Sequence, residues 1–232
     1  MYFNVRLDDD RMCILVIIGT DKEGNKELVA IGDGYRESTT SWKEVLLDLR
    51  RRGLKNAPRL AAADGCLGFW AALEEVFPRC REQRCWVHKT ANILDTLPKS
   101  MQSKATFPIH DMYHAESKES ALEACDHFVH AYKDKYPKAV ACLEKDKEVL
   151  FTFYDFPAVH WIHIRSTNPI ESTFATVRHR TKRTKGCGSR TATLTMVFKP
   201  ARKTWKKLRG YAMIPLVLEN RVFINGKLQE AA

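Results

Sequence analysis

No stretch of this 232-residue chain reaches the roughly 18 consecutive apolar residues that a membrane-crossing helix needs. Met1 is followed by neither a basic leader nor an apolar h-region, so no secretory signal is read. Internal repeats, low-complexity tracts and long flexible linkers are also missing, which removes repeat architectures from consideration. The seven cysteines (13, 66, 80, 85, 125, 142 and 187) are odd in number and scattered within apolar or helical patterns. That argues against a disulfide framework and for reduced core thiols. Acidic residues are scarce in one place only. Residues 161–232 hold 3 Asp/Glu against 15 Lys/Arg, whereas residues 1–160 hold 25 against 23. The net charge of +10 therefore resides in the last third of the chain. Polarised positive charge favours a polyanionic partner, nucleic acid first and a membrane surface as the weaker alternative.

What is present suffices for a globular fold. With 44% hydrophobic residues the chain can bury a full core, as one domain with an insertion or as two small domains. Tyr2–Leu7 alternates like a strand, Asp8-Asp9-Asp10 is a polar turn, and Met12–Ile18 is nearly all apolar, so a hairpin is expected. Lys22-Glu23-Gly24-Asn25 marks a second turn and Glu27–Ile31 a third strand. Ser41 is read as the cap of a helix through Trp42, Val45, Leu46 and Leu49, which Gly53 ends. Arg59–Ala63 is a short strand ending at Asp64-Gly65. A helix to Pro78 follows, and Arg84–Val87 is a fifth strand. Three meander strands, then helix, strand, helix and strand, form a mixed α/β order that matches the ribonuclease-H-like layout: a five-stranded sheet flanked by helices.

From residue 93 to 159 the pattern turns helical, with Pro98, Pro108 and Pro137 as punctuation, and an all-helical insertion is expected. The divisions are then 1–92 for the first part of the sheet domain, 93–159 for the insertion, and 160–232 for the remainder with a basic C-terminal segment. Phe151, Phe153, Tyr154, Phe156 and Trp161 cluster at the end of the insertion; rings so placed pack a core or, alternatively, stack on unpaired bases.

The segment T-N-P-I-E-S-T-F-A-T-V-R-H-R-T-K-R-T-K-G, residues 167–186, follows at once. Asn168 reads as an N-cap, Pro169 as the first helical residue and Glu171 as the third. Ile170, Phe174, Val177 and Thr181 share an inward face, and Arg178, Arg180, Lys182, Arg183 and Lys185 supply a cationic run suited to phosphates. Glu171 completes a capping box or, alternatively, is a carboxylate held at a phosphate-binding surface. Asp64, in A-A-A-D-G at a strand end, caps the next helix or stands at the sheet edge where ligands of open sheets collect. Together the two acids have the makings of a site for hard cations, which favour oxygen ligands. Cys80, Cys85 and His88 lack a fourth ligand at zinc spacing, so Cys85 is read as core. His88, near the same strand end, contacts substrate or orients a carboxylate in the functional reading.

Five stretches resemble the Mutator-type transposases of bacterial insertion sequences: Y-F-N-V-R-L (2–7), G-D-G-Y-R-E-S (32–38), A-D-G-C-L-G-F-W (63–70), Q-R-C-W-V-H-K-T-A-N (83–92) and T-N-P-I-E-S-T-F-A-T-V-R (167–178). The resemblance spans nearly the whole chain. It implies a ribonuclease-H-like domain with a D-D-E triad, an insertion before the Glu and a C-x-x-H motif. Asp64 is then the second acid and Glu171 the third, both holding Mg²⁺ or Mn²⁺ in a two-metal site, and Cys85 with His88 forms the C-x-x-H pair. It further implies DNA cleavage and strand transfer at element ends, oligomers of this chain or mixed with intact transposase, and a cytoplasmic, nucleoid-associated protein. The family's first acid stands in a D-G step just before the Y-F-N strand, where this sequence has Met1. The expectation is a truncated form with an impaired metal site. The rival expectation is an inactive DNA-binding remnant that modulates an intact transposase.

Overall fold

The structure, a computed structural model, describes residues 2–3, 12–168, 170, 174–175, 189, 191, 195 and 205–229. These fall into two compact units. One comprises Met1–Arg59, Gly65–Cys80 and Asn168–Pro215, the other Leu60–Asp64, Arg81–Thr167 and Leu216–Ala232.

The first unit opens with the expected meander. Strands β1 (Tyr2–Phe3), β2 (Met12–Thr20) and β3 (Lys26–Asp33) pair antiparallel in that order, with Tyr2 opposite Cys13 and Ile14 opposite Asp33. A register shift at Ile17/Ile18 marks a bulge. Between β2 and β3, Asp21 accepts from the backbone N–H groups of Glu23 and Asn25, and Gly24 takes φ 82°, which suits a residue without Cβ. The N-cap of helix α1 (Thr39–Arg51) lies three residues before the one read from sequence: Ser38 is the N-cap, and its hydroxyl accepts from the Ser41 N–H at 3.2 Å. The motif S-T-T-S offered two serines at adjacent turns, and the earlier one satisfies the orphan donor. Trp42, Leu46 and Leu49 bury one face of α1. It packs on α2 (Leu67–Val76), where Trp42 meets Phe69 edge to face with centroids 5.0 Å apart. Gly68 permits this approach, because a Cβ there would lie 2.6 Å from the Glu37 carbonyl oxygen.

The second unit holds the parallel pair β4 (Leu60–Ala63) and β5 (Arg81–Arg84), with Ala63 opposite Arg84. Here β5 lies three residues before the strand read from the apolar letters C-W-V. Those letters belong to helix α3 (Trp86–Asp95), whose buried residues Trp86, Lys89, Thr90 and Ile93 follow helical spacing. Residues 99–150 are helical as expected: α4 (Lys99–His114), α5 (Lys118–Tyr132), α6 (Pro137–Glu144) and α7 (Lys147–Leu150). Pro98 occupies the N-cap of α4 and Pro137 the start of α6, but Pro108 lies inside α4. An interior proline costs about 3 kcal/mol. Burial of Ala105, Ile109 and Met112 on one face offsets that cost, at roughly 1.5–3 kcal/mol for each large side chain. The rings of Phe151, Phe153, Tyr154 and Phe156 are buried; Tyr154 meets Trp161 edge to face and donates to the Ala115 carbonyl at 2.9 Å. They form core, which decides between packing and base stacking. A hairpin of β6 (Phe223–Ile224) and β7 (Lys227–Leu228), turning through Asn225-Gly226 at positive φ, packs on this unit through a Gly226 N–H to Tyr154 carbonyl bond.

The chain is thus mixed α/β. Among the described residues the ladders form sheets β1-β2-β3, β4-β5 and β6-β7. The single five-stranded sheet expected from the sequence is not drawn by these ladders.

Candidate functional site

Parallel strands present their carboxyl ends at one edge, and ligands of such sheets gather there. Asp64 is the residue after β4 and is half-buried, flanked by the small residues Ala62, Ala63 and Gly65. The N-cap of α2 falls to Cys66, which makes no side-chain cap bond, so Asp64 is not the capping residue. In the neighbouring strand the residue at the matching position is Cys85. Its N–H donates to the Ala63 carbonyl at 2.8 Å, extending the ladder by one bond beside Asp64.

Cys85 is fully buried and is the N-cap of α3. Its sulfur accepts from the Thr167 N–H at 3.2 Å and from the Thr167 hydroxyl at 3.3 Å. The His88 ring Nδ1 lies 3.2 Å from the same sulfur and 3.3 Å from the Thr167 oxygen. A backbone bond from the Trp86 N–H to the Arg165 carbonyl, 2.9 Å, runs alongside. Burial pushes the Cys85 thiol up, but the hydrogen bonds from His88 and Thr167 outweigh it and hold the thiol below its ordinary value.

On the other side of β5 sits a buried ionic cluster. Arg84 and Lys89 are almost wholly buried, and both reach one oxygen of Asp146, at 3.1 and 2.7 Å. Burial pushes the Asp146 carboxyl up, but Lys89 and Arg84 prevail and hold it below the usual carboxylate value. Buried Gln83 donates to the Leu150 carbonyl at 2.9 Å and accepts from the Phe153 N–H at 2.8 Å. These bonds dock the strand that carries Cys85 onto the helical residues 146–153.

Of the sequence-derived site residues, the register brings Asp64 next to Cys85, with His88 one turn into α3. Glu171, Arg178, Arg180, Lys182, Arg183 and Lys185 lie outside the described residues. Around them, Asn168, Ile170, Phe174 and Ala175 are helical, with Phe174 buried as its inward face requires. Asn168 is already helical and Thr167 is not, so the helix starts at the residue read from sequence as its cap, one residue before Pro169. Sequence reasoning missed Thr167, which stands beside the conspicuous N-P-I-E letters. It also missed Arg84, Lys89 and Asp146, whose pairing spans 57 residues or more and leaves no local signal.

Among the described residues no group of three or more His, Cys, Asp or Glu assembles to hold an ion. Cys85 is committed to hydrogen bonds, and Asp64 is the carboxylate beside it at the strand edge. A half-exposed carboxylate fits a hard divalent cation such as Mg²⁺ and does not by itself complete its site. No helix among the described residues is long and apolar enough to cross a membrane.

Residues 1–207 match the family described as "Transposase, Mutator family". The chain is 58% identical over 203 residues to the transposase for insertion sequence element IST2 of Acidithiobacillus ferrooxidans, covering 88% of this chain and 69% of that protein. It is 51% identical to the transposase for insertion sequence element IS6120 of Mycolicibacterium smegmatis, covering 99% of this chain and 72% of the relative. A more distant relative is the transposase for insertion sequence element IS256 in transposon Tn4001 of Staphylococcus aureus, 30% identical over 169 residues.

Proposed function

The chain belongs to the Mutator family of transposases, and from that premise we propose that it supplies Asp64 and Glu171 to a metal-dependent site that cuts and joins DNA strands. The observation that carries this reading is the position of Asp64 beyond β4, half-buried at the carboxyl edge of a parallel pair. In this reading β1–β5 belong to one ribonuclease-H-like sheet domain, interrupted by residues 93–159 as a helical insertion. Asp64 and Glu171 would hold divalent cations there, Mg²⁺ or Mn²⁺. Such ions lower the pKa of a bound water or hydroxyl and neutralise charge on the attacked phosphate.

The chain's own residues do the remainder. The two carboxylates orient the attacking oxygen in line with the scissile bond. For cleavage that oxygen is water: a P–O bond forms, the P–O3′ bond breaks, and the released 3′-oxygen takes a proton. For joining it is the freed 3′-hydroxyl, which attacks a target phosphodiester and displaces the target's own 3′-oxygen. One phosphodiester replaces another, so no external energy source is needed. Arg178, Arg180, Lys182, Arg183 and Lys185 contact backbone phosphates, which sets register on the duplex without reading bases. The DNA partners are insertion-sequence ends and target. The protein works as an oligomer, in the nucleoid-bearing cytoplasm.

The test is Mg²⁺- or Mn²⁺-dependent nicking and strand transfer on oligonucleotide duplexes carrying element ends, comparing the chain with Asp64→Asn and Glu171→Gln. Loss of metal-dependent products in both variants, with salt-sensitive DNA binding retained, supports the reading. Undiminished products from either variant remove that residue from the site. Salt-sensitive binding with no products from the parent chain favours an inactive DNA-binding form instead.

A further inference from the structure

We propose that the C-terminal end of α1 and the turn after it form a second phosphate-binding surface, which meets the backbone of duplex DNA through Arg50, Arg51 and Lys55. The proposal rests on the reading of the protein as DNA-binding, and it adds a surface outside the cationic run of residues 178–185. Charge here is local and one-sided. From residue 49 to 63 the sequence carries five Lys/Arg (50, 51, 52, 55 and 59) and no Asp/Glu, although residues 1–160 as a whole are nearly balanced. Cations in the last turn of a helix ordinarily answer its dipole, and Arg50 and Arg51 stand there. That effect fades beyond the last turn, so it does not account for Lys55, which lies past the helix end.

The backbone that carries these cations is fixed. The Gly53 N–H donates to the Arg50 carbonyl at 3.1 Å and the Leu54 N–H to the Leu49 carbonyl at 3.0 Å, the paired bonds of a Schellman cap, with Gly53 at φ 117°. The Lys55 N–H then closes on the Gly53 carbonyl at 2.8 Å. Arg52 is used internally: it meets Asp48 at 2.7 Å and donates to the Val29 carbonyl of β3 at 2.6 Å, which docks the helix end on the meander. Arg51 reaches the same Asp48 only at 3.6 Å, beyond hydrogen-bond length, and both groups are exposed enough for water to screen the pair. Arg50 and Lys55 are exposed and have no ion-pair partner among the described residues. The acids of α1, Glu44 and Asp48, line a hollow against Ala30 and Ile31 of β3, and neither Arg50 nor Lys55 belongs to it. Exposed cations on an ordered backbone gain by releasing the counterions of a duplex, and a guanidinium can hold two phosphate oxygens at once. A lipid surface is the poorer fit. An interfacial helix turns its apolar face to lipid, whereas α1 buries Trp42, Leu46 and Leu49, and residues 49–63 contain no aromatic side chain.

The experiment follows a labelled duplex oligonucleotide by fluorescence anisotropy across a salt series, on the full chain and on three triple variants. The first is Arg50→Gln with Arg51→Gln and Lys55→Gln. The second is Lys133→Gln with Lys135→Gln and Lys138→Gln, which removes the same charge from exposed positions around the turn between α5 and α6. The third is Arg178→Gln with Lys182→Gln and Lys185→Gln. Thermal unfolding is recorded on each. The first variant should bind duplex about tenfold or more weakly and lower the slope of log affinity against log salt by about 2–3, at ~0.9 per phosphate contact. The second should keep the parent slope, and both should unfold near the parent temperature. An unchanged slope in the first variant with a reduced one in the third overturns this surface and leaves the DNA-binding reading standing. Equal reductions in the first and second show an effect of net charge and overturn it too. Lost binding to phosphatidylserine vesicles with an unchanged duplex slope assigns the patch to lipid and likewise overturns it. A parent chain without salt-sensitive duplex binding removes the DNA-binding reading and this surface with it. If the first variant does not fold, Lys55→Gln alone decides by a slope change of about 0.9.

Discussion

Strands β4 and β5 lie side by side in parallel register, four residues each, and differ in every letter. β4 is Leu-Ala-Ala-Ala, half-buried throughout; β5 is Arg-Glu-Gln-Arg, with Gln83 and Arg84 fully inside. The apolar strand ends in a partly exposed carboxylate, Asp64, and the polar one in a buried thiol, Cys85. Buried polar groups cost free energy unless each finds a partner. Consequently β5 is tied to what surrounds it: Asp146 for Arg84, and the Leu150 and Phe153 backbone for Gln83. The comparison teaches that the strand leading to Asp64 is built of small apolar residues and ends in a half-buried carboxylate. The strand beside it supplies the anchorage.

The sharpest way to break this contrast is Asp146→Ala. It leaves Arg84 and Lys89 buried without their shared carboxylate, and a loss of about 3–5 kcal/mol in urea denaturation is expected. A loss within about 0.5 kcal/mol, typical of a surface substitution, would mean that β5 is not held this way. The sign with pH follows from the depressed carboxyl. Its contribution is complete above its unfolded value near 3.8 and is lost as pH falls through the lower folded value, so the parent chain should lose more stability in acid than Asp146→Ala does.

A smaller effect is expected from Gln83→Leu, which strands the Phe153 N–H and the Leu150 carbonyl at about 1–3 kcal/mol per group left unsatisfied. The Leu150 carbonyl retains its bond from the Trp86 ring at 2.8 Å, so the Phe153 N–H dominates the loss. Equal stability of variant and parent in thermal and urea unfolding would show that this glutamine is not a clamp.

The thiol gives a graded effect of the opposite pH range. Cys85 is held below its ordinary value of 9.0, so its contribution to stability is complete above that value and lost as pH falls through the folded one. Stability of the parent should therefore rise with pH across that window, and Cys85→Ala should flatten the rise. An unchanged slope would assign the sulfur no net preference for its donors.

The smallest stability effect belongs to β4. Asp64→Asn, nearly isosteric and half-exposed, should change unfolding free energy by less than about 0.5 kcal/mol. Its expected cost falls on metal-dependent activity alone. Destabilisation as large as that of Gln83→Leu would make Asp64 a structural residue and erase the contrast between the two strand ends.

The two strands also differ in how readable they were. The letters A-A-A-D-G announce a strand, an acid and a turn within five residues, and β4 appears where those letters stand. R-E-Q-R carries no hydrophobic signal, so the strand was read three residues late, on C-W-V, which is helix. The same cause separates the remaining cases. Pro98 and Pro137 bound helices because nothing opposes the local rule, whereas Pro108 is carried inside α4 by burial of Ala105, Ile109 and Met112. The Asn225-Gly226 letters were a hairpin signal that went unused; they form the β6–β7 turn.

The amino-acid sequence by itself determined the meander, the helical run over residues 99–150, the place of Asp64 as the strand-end acid and, through its motifs, the family. Those features rest on periodicity, turn chemistry and short-range letters, which the linear order contains. Only the tertiary structure decided that Arg84 and Lys89 share Asp146, that Gln83 docks β5, and that the Cys85 sulfur receives Thr167 across 82 residues. Each is a buried polar contact, favourable only after distant segments have excluded water around it, and no local pattern records which partner will arrive.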